Sequence, residues 1–290
     1  MSIVKNLEDQ GVTWTKSGTQ TAPYEILADA GANVARFRLF VDPKQKNGDD
    51  YVYANLHNVR HEIVRAKGKN LKVILDLHLS DTWADPKQNI APDAWHDHST
   101  RALESSIEDY IISVLSYLNA HDALPSIVQI GNETNGNILL TKPYADLSLD
   151  QIAKEIGVLS SAMNGNKYKI NWNRNAHLFN AGLKAVKTNY PDVKTMLHIA
   201  GPLNTEWWVN NAFNKNAENR LGTEVVDINK VDIIGMSYYT GEPEQQQSIP
   251  VVKQIIENIG LLYNKDVLIV ETAFPHTYGY SDQTENLYSE

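Results

Sequence analysis

The sequence predicts an α/β fold in which parallel strands alternate with helices. Six short runs rich in Ile, Val and Leu recur along the 290 residues, and amphipathic helical patterns lie between them. The runs alternate only weakly between apolar and polar residues, which is typical of strands that are buried on both faces of a parallel sheet. Strands that alternate with helices form βαβ units with right-handed crossovers.

The six predicted strands are Asn33–Val41, Leu71–Leu79, Ser126–Glu133, Lys194–Ala200, Val231–Tyr239 and Asp266–Glu271. A remnant of an earlier strand is predicted within Met1–Leu7. No strand or helix is predicted in Pro275–Glu290, because this stretch is polar and contains Gly and Ser.

Three apolar stripes with helical spacing lie between or beside these strands, and each predicts a helix with one buried face. They consist of Val59, Ile63 and Ala66; of Leu103, Ile107, Ile111, Val114 and Leu118; and of Ile255, Ile259 and Leu262.

Two architectures fit this order, a doubly wound open sheet and a (β/α)8 (TIM) barrel. No glycine-rich phosphate loop follows any strand, which disfavours a dinucleotide-binding sheet. Polar residues end nearly every strand, as expected where all the strands open onto a barrel mouth. They are Arg36, Arg38, Asp76, His78, Asp81, Asn132, Glu133, His198, Ser237, Tyr239 and Glu271. We therefore predict one (β/α)8 domain over residues 1–290, incomplete at its first and last strands.

Composition excludes several classes of function. The net charge of −9 disfavours binding to nucleic acid or to anionic lipid. There is no cysteine, so disulfide scaffolds, thiol catalysis and iron–sulfur clusters are excluded. There is no apolar run long enough to span a membrane, and the charged first residues do not resemble a signal peptide. The 14 Tyr and 6 Trp outnumber the 5 Phe, which favours a sugar-binding or interface surface.

Glu133 and Glu271 each end an apolar run. An alternative for either one alone is that it caps the helix that follows. As a pair on the fourth and seventh strands of a barrel, their carboxyl groups would lie roughly 5–5.5 Å apart, the separation found in retaining glycosidases. One would then protonate the leaving oxygen and the other would attack the anomeric carbon. Arg36 is a candidate cation beside the nucleophile, and Arg38 competes for this role because it alternates to the same face.

Asp76, His78, Asp81 and Trp83 form a second constellation after the second strand. A sugar site would use His78 and Asp81 for hydroxyl groups and Trp83 for stacking. Two alternatives remain open: a structural loop network, and a metal site made by Asp76 and His78 with His96 or His98. His198 is either structural or part of the site, and the hydroxyl of Tyr238 or of Tyr239 is a candidate for holding the nucleophile.

The chain resembles glycoside hydrolase family 53, the endo-β-1,4-galactanases, in several segments that occur in the same order as in the family. These are Gly31–Pro43, Asp76–Pro86 (DLHLSDTWADP), Gln129–Glu133 (QIGNE), Met196–His198, Ile234–Tyr239 and Val270–Pro275. The SDTWADP stretch is the most specific of them. The resemblance implies a secreted enzyme that needs no metal or cofactor and hydrolyses β-1,4-galactan, a side chain of pectin. We expect a monomer.

The resemblance also implies a role for each matching residue. Glu133 would be the acid/base, Glu271 the nucleophile, Asn132 a partner of the sugar 2-hydroxyl and Arg36 a support for the nucleophile. The residues implied in the substrate cleft or in positioning the nucleophile are His78, Asp81, Trp83, His198 and Tyr239.

Some aromatic residues of the family are missing from this chain. Leu139–Lys142 lacks the usual tryptophan, and Tyr239 is followed by Thr-Gly-Glu rather than by Pro-Phe-Trp. A carbohydrate-binding protein without catalysis is therefore kept as an alternative function, beside a metal-dependent hydrolase.

Overall fold

The computed structural model describes residues 3–44, 52–218, 220–240 and 247–273. The strands are β1 Thr15–Lys16, β2 Thr19–Gln20, β3 Val34–Leu39, β4 Lys72–Leu77, β5 Ile127–Ile130, β6 Lys194–Ala200, β7 Ile233–Ser237 and β8 Asp266–Glu271. The helices are α1 Val4–Asp9, α2 Pro23–Asp29, α3 Leu56–Lys67, α4 Thr100–Asn119, α5 Leu149–Glu155, α6 Trp172–Asn189, α7 Pro202–Phe213 and α8 Ile249–Tyr263.

Strands β3 to β8 form one parallel sheet in which the spatial order is the order along the chain. A doubly wound sheet has a point where this order reverses, so the open-sheet alternative is wrong. The sheet is strongly curled. This is shown by the contact between Arg36 on β3 and Glu271 on β8, which have four strands between them. The six strands are thus a large part of a (β/α)8 barrel, which confirms the predicted fold class.

The predicted strand positions are confirmed, and two of them, Lys194–Ala200 and Asp266–Glu271, coincide with β6 and β8. The others are shorter at their ends. The largest difference at a single end is in β5, which ends at Ile130 because the next residues turn through left-handed backbone conformations at Gly131 and Glu133. Glu133 therefore lies on a loop rather than at the end of a strand.

The prediction of an early strand within Met1–Leu7 is wrong, because Val4–Asp9 forms helix α1. Val4 of this helix is buried against the core, and Glu8 pairs with Arg65 on α3. The hairpin of β1 and β2 is not predicted by the sequence, since strands of two residues leave no hydrophobic pattern. The stretch Pro275–Glu290 lies outside the described residues.

Two of the predicted apolar stripes lie on α3 and α4, and all their named residues are buried, which confirms them. The third lies on α8, where Ile255 and Ile259 are buried but Leu262 is 73% exposed. The prediction for Leu262 is wrong because the buried face of α8 runs through Val252, Ile255 and Ile259 instead. Helix α6 is not among the predicted stripes, because Asn and Arg side chains interrupt its apolar face.

The inner face of the sheet is built in two layers. Ile74, Met196 and Ile233 form a small apolar cluster, the lower of the two layers. Two residues further along their strands, Asp76 and His198 point to the same side, because side chains alternate with a period of two. The main core lies on the other face, between the sheet and the helices. Asp76 and His198 therefore lie in a buried polar layer next to this apolar cluster, nearer to the carboxyl ends of the strands.

Two helical glycines allow a matched test of the packing behind the sheet. A Cβ at Gly182 on α6 would lie 2.8 Å from Ile130 Cγ2, whereas one at Gly260 on α8 meets nothing closer than 3.8 Å. We expect Gly182→Ala to lower the free energy of unfolding by about 1–2 kcal/mol, because overpacking exceeds the gain in helix propensity. Gly260→Ala should raise it by about 0.5–1 kcal/mol. Urea unfolding checks this difference in sign, and equal effects would contradict it.

Candidate active site

Arg36 on β3 is the centre of the polar layer. Its guanidinium donates to Glu271 Oε1 at 2.6 Å, to Asn132 Oδ1 at 2.8 Å and to Gln129 Oε1 at 3.0 Å, and it contacts Asp76 Oδ2 at 2.9 Å. The five groups come from four strands and the loop after β5. One cation therefore fixes the position of four side chains around the mouth of the sheet, and each contact carries the strength of a charge-assisted hydrogen bond or an ion pair.

Asp76 is fully buried behind Arg36. Gln129 Nε2 donates to its Oδ1 at 2.6 Å, and His78 Nε2 lies 3.1 Å from its Oδ2. Burial alone would raise the pKa of Asp76, but the charge of Arg36 and the contact with His78 hold it below its usual value. The His78 Nδ1 accepts from the backbone N–H of Ala84 at 3.0 Å, so its proton is on Nε2 and is donated to Asp76.

Glu133 projects from the turn that follows β5. Its φ of 45° is in the left-handed region, which costs energy for a residue with a side chain and is often found at functional sites. The Ser237 hydroxyl donates to Glu133 Oε1 at 2.6 Å, which by itself would lower the pKa of Glu133. Burial, together with the negative charge of Glu271, raises the pKa of Glu133 to about 7. Glu133 thus retains its proton to near neutral pH.

Glu271 at the end of β8 has a different environment. Its Oε1 binds the Arg36 guanidinium at 2.6 Å, and its Oε2 accepts from the Tyr239 hydroxyl at 2.9 Å. Both oxygens are therefore held in place by hydrogen-bond donors. Burial, followed by the charge of Glu271, raises the pKa of Tyr239, so this hydroxyl keeps the proton that it donates.

His198 and Asn132 are buried between the two glutamates. His198 Nδ1 lies 2.9 Å from Asn132 Oδ1, and its Nε2 lies 2.9 Å from Ser237 Oγ. Burial holds the pKa of His198 well below its usual value, so the ring is neutral. A neutral imidazole in a buried network takes part in hydrogen bonds without adding charge to the site.

Trp83 is half-exposed at the rim of the site, beside the buried ring of His78. The Arg38 guanidinium lies 3.5 Å from the centre of the Trp83 ring, in a cation–π contact. Burial lowers the pKa of Arg38. The structure thus decides between the two arginines of β3: Arg36 binds Glu271, and Arg38 supports Trp83.

Asp81 ties two loops together. Its Oδ1 accepts from the backbone N–H of Asp42 and its Oδ2 from that of Asp93, each at 2.9 Å. Burial raises the pKa of this carboxyl group. Its observed contacts are those of a residue that shapes the rim of the site.

The structure brings most of the sequence-predicted residues into one connected site at the carboxyl ends of the strands. Those joined to one another by hydrogen bonds and ion pairs are Arg36, His78, Asn132, Glu133, His198, Tyr239 and Glu271. Trp83 joins them through its packing against His78, whereas the Asp81 carboxyl group accepts from the backbone of two loops.

Sequence reasoning missed Gln129, which links Arg36 to Asp76 from the buried end of β5. A polar residue inside an apolar strand was the signal that could have found it. The Ser237 hydroxyl, which has no role in the sequence prediction, contacts both Glu133 and His198.

The residues of the metal alternative do not converge. His96 Nε2 contacts the carbonyl of Ala91, and His98 Nδ1 contacts Ser106 on α4. Across the described ranges, no group of three or more His, Asp or Glu side chains is arranged to hold a metal ion. Asp76 and His78 instead serve the Arg36 network.

A curled parallel sheet that carries one buried glutamate and one arginine-bound glutamate at its mouth defines a glycoside hydrolase of the (β/α)8 class. The comparisons with known proteins give the family. The family model for glycosyl hydrolase family 53 matches residues 1–290. The chain belongs to this family.

Relatives with known names agree with this assignment. The chain is 35% identical to an arabinogalactan endo-β-1,4-galactanase of Cellvibrio japonicus, over all of this chain and 68% of that protein. It is 26% identical to an endo-β-1,4-galactanase of Bacillus subtilis, over 96% of this chain and 56% of that protein. The chain therefore spans between half and about two thirds of the length of these relatives.

Solved structures show the same fold. A fungal β-1,4-galactanase superimposes with a TM-score of 0.75 at 25% identity, over 94% of this chain and 72% of that one. The family 53 catalytic domain of Ignisphaera aggregans superimposes with a TM-score of 0.73 at 25% identity, over 98% and 69%. No helix in the described part of the chain has the length and apolarity that crossing a membrane requires.

Proposed function

We propose that this protein is an endo-acting β-1,4-galactanase that cleaves its substrate with retention of configuration. The observation that carries the proposal is the asymmetry of the two glutamates. Glu133 is buried with a raised pKa, whereas Glu271 has both oxygens held by Arg36 and Tyr239. A pair of carboxyl groups in unlike environments is what two-carboxylate glycoside hydrolysis requires, and the anomer of the first product distinguishes retention from inversion.

In the first step of the proposed reaction, Glu271 attacks the anomeric carbon and Glu133 gives its proton to the departing glycosidic oxygen. The bond between sugar and leaving group breaks as a covalent glycosyl ester forms on Glu271. In the second step Glu133, now ionised, takes a proton from water, and the resulting hydroxide displaces Glu271 from the sugar. Asn132 would hydrogen-bond to the sugar 2-hydroxyl, and Trp83 would stack on a neighbouring sugar.

The substrate class is proposed from the named relatives, which are galactanases. The half-exposed Trp83 over Arg38 offers a flat apolar face of the kind that sugar rings contact. We further propose that the chain acts outside the cell, because galactan is a polymer, and that residues 1–290 work as one catalytic domain in a monomer. The site supports the single catalytic domain, since Arg36 on β3 and Glu271 on β8 contact each other in it.

The test is an assay of the full chain on β-1,4-galactan. We expect new reducing ends and a rapid fall in viscosity, as internal bonds break. Proton NMR of the first products should show the β-anomer, before mutarotation. An initial α-anomer would contradict retention, and galactan binding without any cleavage would instead favour the carbohydrate-binding alternative.

The raised pKa of Glu133 predicts the pH dependence of the reaction. We expect kcat/KM to fall as the pH rises through about 7, because the general acid then loses its proton. The measurement is a pH profile on galactan and on an aryl β-galactoside whose phenolate leaves without protonation. On galactan, kcat/KM should fall steeply on the basic side of the profile. On the aryl substrate, the rate at which the glycosyl-enzyme forms should fall only slightly over the same pH range. Identical profiles would exclude Glu133 as the acid.

A further inference from the structure

Strand β6 extends further toward the mouth of the sheet than its neighbour β5. β5 ends at Ile130, whereas β6 continues to Ala200. Lys194 donates its backbone N–H to the carbonyl of Ser126, so alternate residues from Lys194 onward, including His198 and Ala200, turn their backbone groups toward β5. Both residues are buried, and buried backbone groups need hydrogen-bond partners.

The two residues after Glu133 supply these partners. The Thr134 backbone N–H donates to the carbonyl oxygen of His198 at 2.9 Å, and its hydroxyl donates to the same oxygen at 3.1 Å. The Asn135 side chain pairs with Ala200 in both directions, because its Nδ2 donates to the carbonyl oxygen and its Oδ1 accepts from the backbone N–H, each at 2.8 Å. A backbone N–H can only donate and a carbonyl can only accept, so these two contacts fix the orientation of the amide.

Glu133 lies in a bulge between two stretches of chain that bond to β6. The register of β5 and β6 would bring the Asn132 N–H to the carbonyl of His198 if the ladder continued regularly. Thr134 makes that bond instead, so the bulge contains two additional residues. Bulges bend the strand and turn a side chain in a new direction, which is how Glu133 leaves the line of β5.

Asn135 connects Glu133 to β6. Its backbone N–H donates to the carbonyl oxygen of Glu133 at 2.9 Å, while its side chain holds the backbone of Ala200. The φ of Glu133 is 45°, a left-handed conformation that is unfavourable for a residue with a side chain and persists only where surrounding contacts fix it. The Asn135 side chain closes the bulge and is therefore one of the contacts that keep Glu133 in this conformation.

The proposed nucleophile is held by other elements. Glu271 at the end of β8 binds Arg36 on β3 and the Tyr239 hydroxyl after β7. A change at Asn135 therefore disturbs the backbone of Glu133 directly and leaves these two partners of Glu271 in the sequence and on their own strands. The two halves of the reaction, proton donation and nucleophilic attack, thus depend on different contacts.

We propose that Asn135 is a positioning residue for the general acid and that Thr134 supports it by closing the same bulge. Asn135 acts through the backbone of Glu133 and exchanges no proton with the substrate. The end of β6 thereby sets the direction in which Glu133 presents its proton to the departing glycosidic oxygen. This inference rests on the proposed role of Glu133 as the acid.

Asn135→Ala should lower kcat/KM on galactan by about 10- to 100-fold, because a misplaced acid protonates the leaving oxygen poorly. On a dinitrophenyl β-galactoside, whose phenolate leaves without a proton, kcat/KM should change by less than about threefold, since it reports only the steps up to the glycosyl-enzyme. Equal losses on the two substrates would indicate a general disturbance of the site and would overturn the proposal. An unchanged rate on galactan would overturn it as well.

Asn180→Ala is the matched control. Asn180 on α6 pairs with backbone in the same way, donating to the carbonyl oxygen of Val225 at 3.0 Å and accepting from the N–H of Asp227 at 2.7 Å. The segment that it holds precedes β7, whereas the site lies where the strands end. Both variants lose equivalent bonds, so both should lower the urea midpoint, but Asn180→Ala should keep the wild-type ratio of the two kcat/KM values. A changed ratio in this control would attribute the selectivity to lost stability and refute the proposal.

A double-mutant cycle tests whether Asn135 acts through Glu133. In Glu133→Gln the acid is already absent, so adding Asn135→Ala should lower kcat/KM on galactan by no more than about twofold. A further loss as large as the one that Asn135→Ala causes alone would show an effect independent of Glu133 and would contradict the proposal.

Thr134→Val is a second variant that preserves the shape of the side chain. It keeps the backbone N–H bond to His198 and removes only the hydroxyl bond, so it should fold even if Asn135→Ala does not. We expect the same selective loss on galactan, smaller than that of Asn135→Ala. A Thr134→Val enzyme that loses equally on both substrates would count against the proposal.

A measurement without substrate separates this inference from the proposed function. ¹³C NMR of the full chain should show the pKa of Glu133 falling from about 7 toward its ordinary value in Asn135→Ala, because the carboxyl group leaves its buried position, and staying constant in Asn180→Ala. Neither variant alters the charged and titratable groups that act on Glu133, which are Glu271, Asp85, Arg36 and Tyr239. An unchanged pKa in Asn135→Ala would refute the inference even if galactan is cleaved. The expected shift in a chain that cleaves no galactan would refute the function and leave the positioning of Glu133 established.

Discussion

Replacement of Glu271 by Gln is expected to lower kcat on galactan by about 10⁴- to 10⁶-fold, the scale seen when a covalent nucleophile is removed. The amide has the shape of the carboxylate, and its oxygen can still accept from Arg36 or Tyr239, but it cannot form the glycosyl ester. Galactan binding should therefore persist. Reducing-end assays give kcat, and affinity electrophoresis in galactan measures binding.

The same position allows a test that identifies the role of each glutamate. In Glu271→Ala, azide should occupy the space of the lost carboxylate and yield an α-galactosyl azide by direct displacement. In Glu133→Ala, azide should attack the glycosyl-enzyme and yield the β-galactosyl azide. Exchanged configurations would show that the acid and the nucleophile have been assigned the wrong way round.

The matched control is Glu257→Gln, the same substitution at a half-exposed glutamate on α8 that faces Lys253. It should leave kcat unchanged. A Glu271→Gln enzyme that loses less than about tenfold would rule out the double displacement at this residue, since even general acid catalysis alone contributes about 10²-fold or more.

Replacement of Arg36 by Met is expected to lower the free energy of unfolding by about 3–5 kcal/mol, the cost of breaking a buried ion pair on one side. The variant leaves the carboxylate of Asp76 buried without its cation. It also removes the donors to Gln129 and Asn132, whose oxygens are held by Arg36. Denaturant unfolding at pH 7 measures the loss.

The dependence of this effect on pH has a definite sign. In the wild type the pKa of Asp76 is lower folded than unfolded, so Asp76 stabilises the protein above the unfolded pKa of about 3.9. That stability is lost as the pH falls through the folded pKa. Without Arg36, burial should raise the folded pKa of Asp76, and the variant should then become less stable as the pH rises through the unfolded pKa.

A second substitution separates this explanation from general misfolding. Adding Asp76→Asn to Arg36→Met removes the unpaired charge, so it should recover part of the stability at pH 7. The control is Lys184→Met, which removes one partner of an exposed ion pair with Glu108 and should change stability by no more than about 1 kcal/mol. If the double variant is no more stable than Arg36→Met, the charge of Asp76 is not the cause.

The sequence predicts a strand or helix correctly where its apolar residues are the ones that the folded structure buries. Strands such as Lys194–Ala200 are buried on both faces, so the apolar run ends where the strand ends. The apolar pattern wrongly extends β5 into the turn that follows it, because nothing in the pattern signals that Glu133 adopts a left-handed conformation. The spacing of Leu262 fits the apolar stripe of α8, but only packing decides which side of an apolar helix is covered.

The candidate site was predictable for a related reason. The carboxyl ends of parallel strands meet at one rim, so polar residues that end apolar runs are neighbours whatever their distance in sequence. The sequence does not show which of these residues contact one another. Arg36 and Arg38 lie on the same face of β3. Only the tertiary structure shows that Arg36 contacts Glu271 and that Arg38 contacts Trp83.

The sequence by itself determined the alternation of strands and helices and the set of polar residues at the strand ends, because burial and backbone spacing are local properties. Only the tertiary structure decided the pairing of those residues and the contacts that link Arg36 through Asn132, His198 and Ser237 to Glu133. The physical reason is that a pKa or a tautomer depends on groups that lie within a few ångströms, and the groups around Glu133 come from strands that are remote from one another along the chain.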